Sequence, residues 1–216
     1  MKYLVFSDSH LTDRFEPNKC KALLKAIDAA DRVIINGDFW DGYLVSFNTF
    51  VTSQWSTKLF PLLKKKQAVY IFGNHDTQKM ADNRTRLFSN IQTNQYKLTS
   101  GGKTFIFEHG HRIAPMADET LNVKQGVVIK IAQRVEKYAV AIIGPRVFFI
   151  LYAYLIKQYK KSASQLNSDE VLVVGHTNTP EIDLDHKYIN TGYCNIGLCH
   201  YVLIDNGTLS AAVKKY

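Results

Sequence analysis

Side chains that bind metals or move protons recur in this 216-residue chain at one kind of place, directly after a short apolar run. Tyr3–Phe6 leads into Ser7-Asp8-Ser9-His10, and Val33–Ile35 leads into Asn36-Gly37-Asp38 with Asp41 three residues on. Ala68–Phe72 leads into Gly73-Asn74-His75-Asp76, Thr104–Glu108 into His109-Gly110-His111-Arg112, and Val171–Val174 into Gly175-His176-Thr177-Asn178. Short apolar runs of this kind read as buried strands, and glycine lets the backbone turn where each one stops. Open α/β sheets place their ligands at the carboxyl ends of such strands. In extended backbone Asp8 and His10, two apart, point to one side and can meet one ion. Singly, these residues have plainer readings: a capping Asp, a surface His, an Asn turn. Five strand ends in order carry more weight. The set Asp8, His10, Asp38, Asn74, His109 and His176 mixes oxygen with imidazole, which suits manganese, iron or zinc better than calcium. One carboxylate among them can bridge two divalent ions about 3.5–4 Å apart, which clamp a phosphate while an activated water attacks in line.

The elements that must hold these groups follow from periodicity. Pro17–Ala30 reads as an amphipathic helix with Cys20, Leu23, Leu24 and Ile27 on one face. Tyr43–Leu63 reads as one long helix with Phe47, Phe50, Val51, Trp55 and Leu59 inward. Ala81–Phe88 is a weaker helix, and Tyr96–Thr99 with Thr104–Glu108 forms a hairpin turning at Ser100-Gly101-Gly102. Lys187–Ile189 is a further strand, and Tyr201–Ile204 and Leu209–Val213 close the chain as a hairpin about Asp205-Asn206-Gly207, ahead of a frayed lysine tail. Val127–Ile143 and Arg146–Tyr159 read as two helices joined at Gly144-Pro145. Tyr138–Ile156 is apolar except for Arg146, and that central Arg argues against a membrane span. With its lysines, the hairpin is expected to be a lid or an amphipathic surface element.

A formal charge of +8 favours anionic partners: phosphates, nucleic acid or a lipid surface. The basic residues gather on the hairpin rather than interleaving with aromatics, which ranks nucleic acid below a small or lipid-linked substrate. Cys20, Cys194 and Cys199 form no framework, so a reducing interior is expected. Cys194, Cys199 and His200 fit no zinc spacing. Met1-Lys2 runs straight into the first strand with no leader, pointing to the cytoplasm, at most peripheral to a membrane. No repeat points to more than a single domain over 1–216.

The motifs Asp8-x-His10, Gly37-Asp38-x-x-Asp41, Gly73-Asn74-His75-Asp76, His109-Gly110-His111 and Gly175-His176-x-Asn178 together resemble the calcineurin-like metallophosphoesterases. That resemblance implies an α/β (α+β) fold, a double β-sandwich flanked by helices, with residues 120–165 inserted as the helical hairpin. It implies two divalent ions, manganese first, with iron, zinc or magnesium as alternatives. Asp8, His10 and Asp38 would hold one ion, Asp38, Asn74, His109 and His176 the other, with Asp38 as the bridge. His75 would face the substrate as acid. Asp41 would hold His75 cationic, since a nearby carboxylate raises a His pKa; its plainer reading is a helix N-cap. His111 and Arg112 would contact substrate phosphate. The family usually carries a second His where Asn178 stands, so the first ion is manganese- or magnesium-leaning, labile or lost, with His186 or His200 as substitutes. The placement and character of the insertion are similar to those of the UDP-2,3-diacylglucosamine pyrophosphatases, which implies a lipid-linked diphosphate and membrane contact through 127–159. The expected activity is hydrolysis of a phosphoester or pyrophosphate; the alternatives are a non-catalytic scaffold or a nuclease.

Overall fold

All five apolar runs that precede the chemistry-bearing residues are strands in the computed structural model, which describes residues 1–115 and 146–216 together with Val135, Tyr138, Ile142 and Gly144. One sheet has seven strands: β1 (Lys2–Phe6), β2 (Arg32–Asn36), β3 (Val69–Ile71), β4 (Ile91–Thr93), β10 (Cys194–Asn195), β11 (Leu198–Asp205) and β12 (Thr208–Lys215). Its order is β10-β11-β1-β2-β3-β4, with β12 also on β11, and β1 to β4 run parallel. The second sheet has five strands: β5 (Tyr96–Ser100), β6 (Lys103–Phe107), β7 (Glu170–Val174), β8 (Glu181–Asp183) and β9 (Tyr188–Asn190), in the order β5-β6-β7-β9-β8. β6, β7 and β9 are parallel.

The two-residue period of each strand divides its side chains between two cores. Val5, Ile34, Val69 and Ile71 pack against Phe105, Phe107, Val171 and Val173 between the sheets. Their neighbours Leu4, Phe6, Val33 and Ile35 face the other way, into a core shared with α1 (Pro17–Asp28), α2 (Phe47–Val51) and α3 (Gln54–Lys65). Burial on both faces is why these strands read as unbroken apolar runs. On the far side of the second sheet, Leu172, Val174 and Tyr188 meet Tyr159 and Ala163 of α5 (Ala153–Ser164), which follows α4 (Val147–Leu151). This is the expected double sandwich with helices outside.

Several expectations need correction. Tyr43–Leu63 is not one helix. Ser46 caps α2 by accepting the Thr49 N–H, and the chain breaks at Thr52-Ser53 before α3 begins. The aromatic row still points inward, because α2 and α3 share one core. Ala81–Phe88 contains a single 3-10 turn, Asn83–Leu87, capped by Asp82. Lys214 and Lys215 are not a frayed tail; they pair with Cys199 and Leu198 in the last hairpin. Cys194 and Cys199 are disulfide-bonded, because β10 and β11 turn back tightly and set the two directly opposite each other. Most of Val127–Ile143 lies outside the described residues, as do Lys130, Arg134 and Lys137. Arg146–Tyr159 divides at Tyr152 into α4 and α5. No helix among the described residues is long and apolar enough to cross a membrane.

Phe105 and Phe107 are fully buried between the sheets. Phe105→Ala should therefore cost about 3–5 kcal/mol in urea unfolding, and a loss below about 1 kcal/mol would mean that the sheets are not packed on this side chain.

Candidate metal centre

The carboxyl ends of β1, β2, β3, β6 and β7 bring Asp8, His10, Asp38, Asn74, His75, His109 and His176 to one place. The backbone there is not extended. Asp8, His10, Asp38, His176 and Asn178 all take positive φ, between 43° and 67°. Asp8 and His10 therefore converge through a left-handed turn, not through the alternation of a strand. Non-glycine residues in this region carry strain that the surroundings must outweigh. Here the Asp8 N–H donates to the Gly37 carbonyl at 3.1 Å, and the Ser9 and His10 N–H groups donate to the Asp38 carbonyl at 2.9 and 3.0 Å. The loop after β1 is thus pinned to the loop after β2. Glycine is required where these loops meet. A Cβ on Gly37, whose φ is +88°, would lie 2.3 Å from His109 Nδ1, and one on Gly73 would lie 2.1 Å from Asp38 Oδ1.

Asp38 is the centre of the cluster. Its Oδ2 lies 3.2 Å from His109 Nε2, 3.8 Å from His10 Nε2 and 4.0 Å from His75 Nε2, and its Oδ1 accepts the His75 N–H at 3.0 Å. His10 Nε2 is also 3.9 Å from Asp8 Oδ1. Asn74 Oδ1 lies 3.1 Å from His109 Nε2 and 3.0 Å from His176 Nδ1, and the His176 N–H donates to Asp8 Oδ2 at 3.0 Å. Among the described residues two triads have ligand atoms within 4.8 Å of one another: His10, Asp38 and His75, and Asp8, Asp38 and His109. Asp38 belongs to both. His75 stands within the first triad, while its Nδ1 is 3.1 Å from Asp41 Oδ1. Asp41, fully buried, also accepts the Tyr43 N–H at 3.2 Å, but within a turn and not as a helix N-cap, since α2 begins at Phe47 behind Ser46.

The electrostatics of the protein alone are strained in a way a cation relieves. Burial pushes the Asp8 carboxyl up to about 7, with His109 pulling it down and Asp38 adding to the rise. For Asp38 burial acts upward too, but His109, His75 and His10 outweigh it and hold the group well below the usual carboxylate range. Burial lowers His109, but Asp38 and Asp8 carry it up to about 10. Burial, reinforced by His75, lowers His10 to about 4. His109 Nδ1 faces the Asn36 carbonyl at 2.9 Å, which keeps a proton on Nδ1 and turns Nε2 toward the Asp38 and Asn74 oxygens. In the protein alone the ring's second proton, held by Asp38 and Asp8, sits on Nε2 between these oxygens, which is the place a cation would take. Fixing the ring through its other nitrogen is how proteins present a metal-ligating imidazole. Buried His10 Nδ1 and Asn178 Oδ1 have no hydrogen-bond partner among the described residues, although His10 Nδ1 lies 4.0 Å from Asp41 Oδ2. The donor set fits divalent metal.

The other sequence candidates are less central. His111 sits beside the cluster, its ring 5.6 Å from His109 and 6.2 Å from His176, and burial lowers it to about 4. Arg112 instead reaches Glu108 Oε2 and the Asn94 carbonyl, each at 3.5 Å. Neither proposed substitute for Asn178 enters the cluster: His186 is exposed and bonds Asp183 at 2.8 Å, and His200 packs on Tyr193 at 4.9 Å. Three residues carry roles that were not foreseen. Asp76 accepts the N–H groups of Gly73, Asp38 and Phe39 at 2.7, 3.0 and 2.7 Å, clamping the β2 loop to the β3 loop. The Tyr43 ring lies 4.4 Å from that of His75. Lys19, on α1, is fully buried and donates to the Ser9 carbonyl at 2.5 Å and to Asn195 Oδ1 at 3.2 Å, bracing the Asp8–His10 turn from beneath. Asp76 had a signal in its tetrapeptide; Lys19 had none.

Comparison with known proteins bears on the family and the fold. Residues 1–188 match the family described as calcineurin-like phosphoesterase. A phosphoesterase from E. coli, Yfce, superposes with a TM-score of 0.54 at 18% identity, covering 97% of this chain and 91% of that one. An archaeal phosphodiesterase gives 0.51 at 20% identity, covering 99% and 100%. At these identities the two share the fold with this chain. No curated protein matches the sequence.

Burial lowers the Lys19 ammonium to about 8 from an ordinary 10.5. Folding thus releases its proton between those values, and the stability it contributes is present above pH 10.5 and is lost as pH falls through about 8. Relative to Lys19→Met, the wild type should gain roughly 3 kcal/mol across that window in urea unfolding. A gap that does not change with pH would mean the amine stays charged in the fold.

Proposed function

This chain belongs to the calcineurin-like phosphoesterase family, and we propose that it hydrolyses a phosphodiester or pyrophosphate bond through a two-ion centre bridged by Asp38. The observation that carries the proposal is the Asp38 Oδ2 atom, common to two triads of ligand atoms and surrounded by three imidazoles. Asp8, His10 and Asp38 would hold one ion with Asn178; Asp38, Asn74, His109 and His176 would hold the other. Manganese is the expected metal, since the donor set mixes carboxylate, amide and imidazole. Bound there, the cations supply Lewis acidity toward the phosphoryl oxygens and lower the pKa of water.

The chain's own residues supply the rest. His75 lies at the edge of the cluster and is partly open to solvent, with its Nδ1 held by Asp41 and its Nε2 toward Asp38. A protonated His75 can give its Nε2 proton to the leaving oxygen, and Asp41 stabilises the charged ring while fixing its orientation. Tyr43 walls the other side of that imidazole. His111, its ring 5.6 Å from that of His109, would meet a phosphate oxygen. The substrate class we favour is a small or lipid-linked molecule, of the UDP-2,3-diacylglucosamine type in its diphosphate and acyl tails; the apolar, basic insertion supports that over a polynucleotide. A non-catalytic binding role is a second reading, and one feature favours it: Asn178 weakens the first ion's ligand set relative to an imidazole.

Hydrolysis of a chromogenic phosphodiester should appear with added manganese, cease with chelator, and fall about a hundredfold or more in kcat in Asp38→Ala and His75→Ala. A folded wild type inert with every divalent metal and generic substrate would leave only the binding role. Asn178→His should raise the manganese retained after dialysis; unchanged retention would remove Asn178 from the ligand set.

A further inference from the structure

Of the large apolar side chains that the described residues leave exposed, most fall within one stretch of sequence, the insertion between β6 and β7. Ile142 is 82% exposed, Ile150 74%, Tyr154 70% and Leu151 59%. The helix that carries Tyr154 also turns Lys157 and Lys161 to solvent. Positions 154, 157 and 161 are spaced i, i+3 and i+7, so the apolar tip runs into a basic stripe on one face of α5. The opposite face, through Tyr159 and Ala163, is buried against the second sheet. α4 and α5 carry Lys157, Lys160 and Lys161 and no Asp or Glu; Lys160 reaches Glu181 and Asp183 of β8 at 2.8 and 2.6 Å, while Lys157 and Lys161 face solvent.

We propose that this surface docks on a lipid bilayer that carries anionic lipid. Apolar and tyrosine side chains at the tip would enter the interface, with lysines behind them at the level of the charged headgroups. The charge decides against a second copy of the chain. A two-fold contact sets a patch against itself, so Lys157 and Lys161 would meet their own copies with no acid in α4 or α5 to answer them. A spanning role is out of reach of α4 and α5, which are five and twelve residues long. The surface is joined to the candidate centre: the Tyr159 hydroxyl lies 3.1 Å from where a Cβ on Gly110 would stand, beside His109. Docking would therefore hold the centre at a fixed attitude to the membrane. The inference rests on this surface and stands whether or not the centre hydrolyses phosphodiesters.

The test is co-sedimentation of the full chain with vesicles of phosphatidylcholine alone and of an equal mixture with phosphatidylglycerol. Binding is expected to the mixture, to weaken with salt, and to be at least about tenfold weaker to phosphatidylcholine alone. The double variants Ile150→Ser/Tyr154→Ser and Lys157→Glu/Lys161→Glu should each lose about tenfold or more in affinity for the mixture. Far-UV spectra and urea midpoints like those of the wild type show that the variants fold. Failure to bind either vesicle, or variants that bind as the wild type does, overturns the proposal. So does a dimer in analytical ultracentrifugation that the same variants dissolve, with no vesicle binding.

Discussion

The constraint on which the rest depends is the burial of Asp38 beside Asp8. Two carboxylates taken out of water side by side cannot both stay ionised without positive charge among them. In the protein alone that charge is the imidazolium of His109, which Asp38 and Asp8 carry up to about 10. A divalent cation does the same work with more charge and no proton. Much of the local architecture maintains this arrangement. Asp76 draws three backbone N–H groups together so that the β2 and β3 loops abut, and the Asn36 carbonyl sets the tautomer of His109. Backbone bonds from Asp8, Ser9 and His10 to the Asp38 loop hold the left-handed turn. Each is a polar interaction whose loss would leave a buried group unsatisfied, so the side chains of the cluster are positioned by the protein's own bonds.

What could be read in the sequence was local. Apolar runs of three to five residues ending in glycine or a polar group announced β1, β2, β3, β6 and β7, because strands buried on both faces cannot alternate. The groups at their ends followed, and the structure brings Asp8, His10, Asp38, Asn74, His75, His109 and His176 together. What could not be read depends on partners far along the chain. Lys19 lies one residue before Cys20 on an amphipathic helix and reads as solvated; only the Ser9 carbonyl and Asn195, which is 176 residues away, make it a buried brace. The disulfide escaped for a related reason, since the hairpin setting Cys194 opposite Cys199 is only a two-residue strand and a turn. The single long helix expected over Tyr43–Leu63 failed differently. Phe47, Phe50, Trp55 and Leu59 keep roughly helical spacing across the break, so the apolar pattern does not register the interruption at Thr52-Ser53.

Asn178 and the insertion bear on one question from opposite ends: how tightly this chain holds its reactants. An amide oxygen gives up charge transfer to a metal, so in the proposed centre a first ion would depend more on Asp8 and on a shared Asp38 than in an imidazole-completed site. A weaker site can still be a working one if the second ion is firm and the phosphate itself bridges the pair, because the substrate then completes the coordination and metal occupancy becomes linked to substrate occupancy. A surface that concentrates the protein where its substrate lies would have the same effect on a different scale, raising local substrate concentration rather than intrinsic affinity. On that view the departure at Asn178 and the exposed apolar tip are compatible features of one design. The proposed ligand set could then be permissive because the reactants are brought to it, and the buried His109–Asp38 contact, at 3.2 Å, involves neither feature.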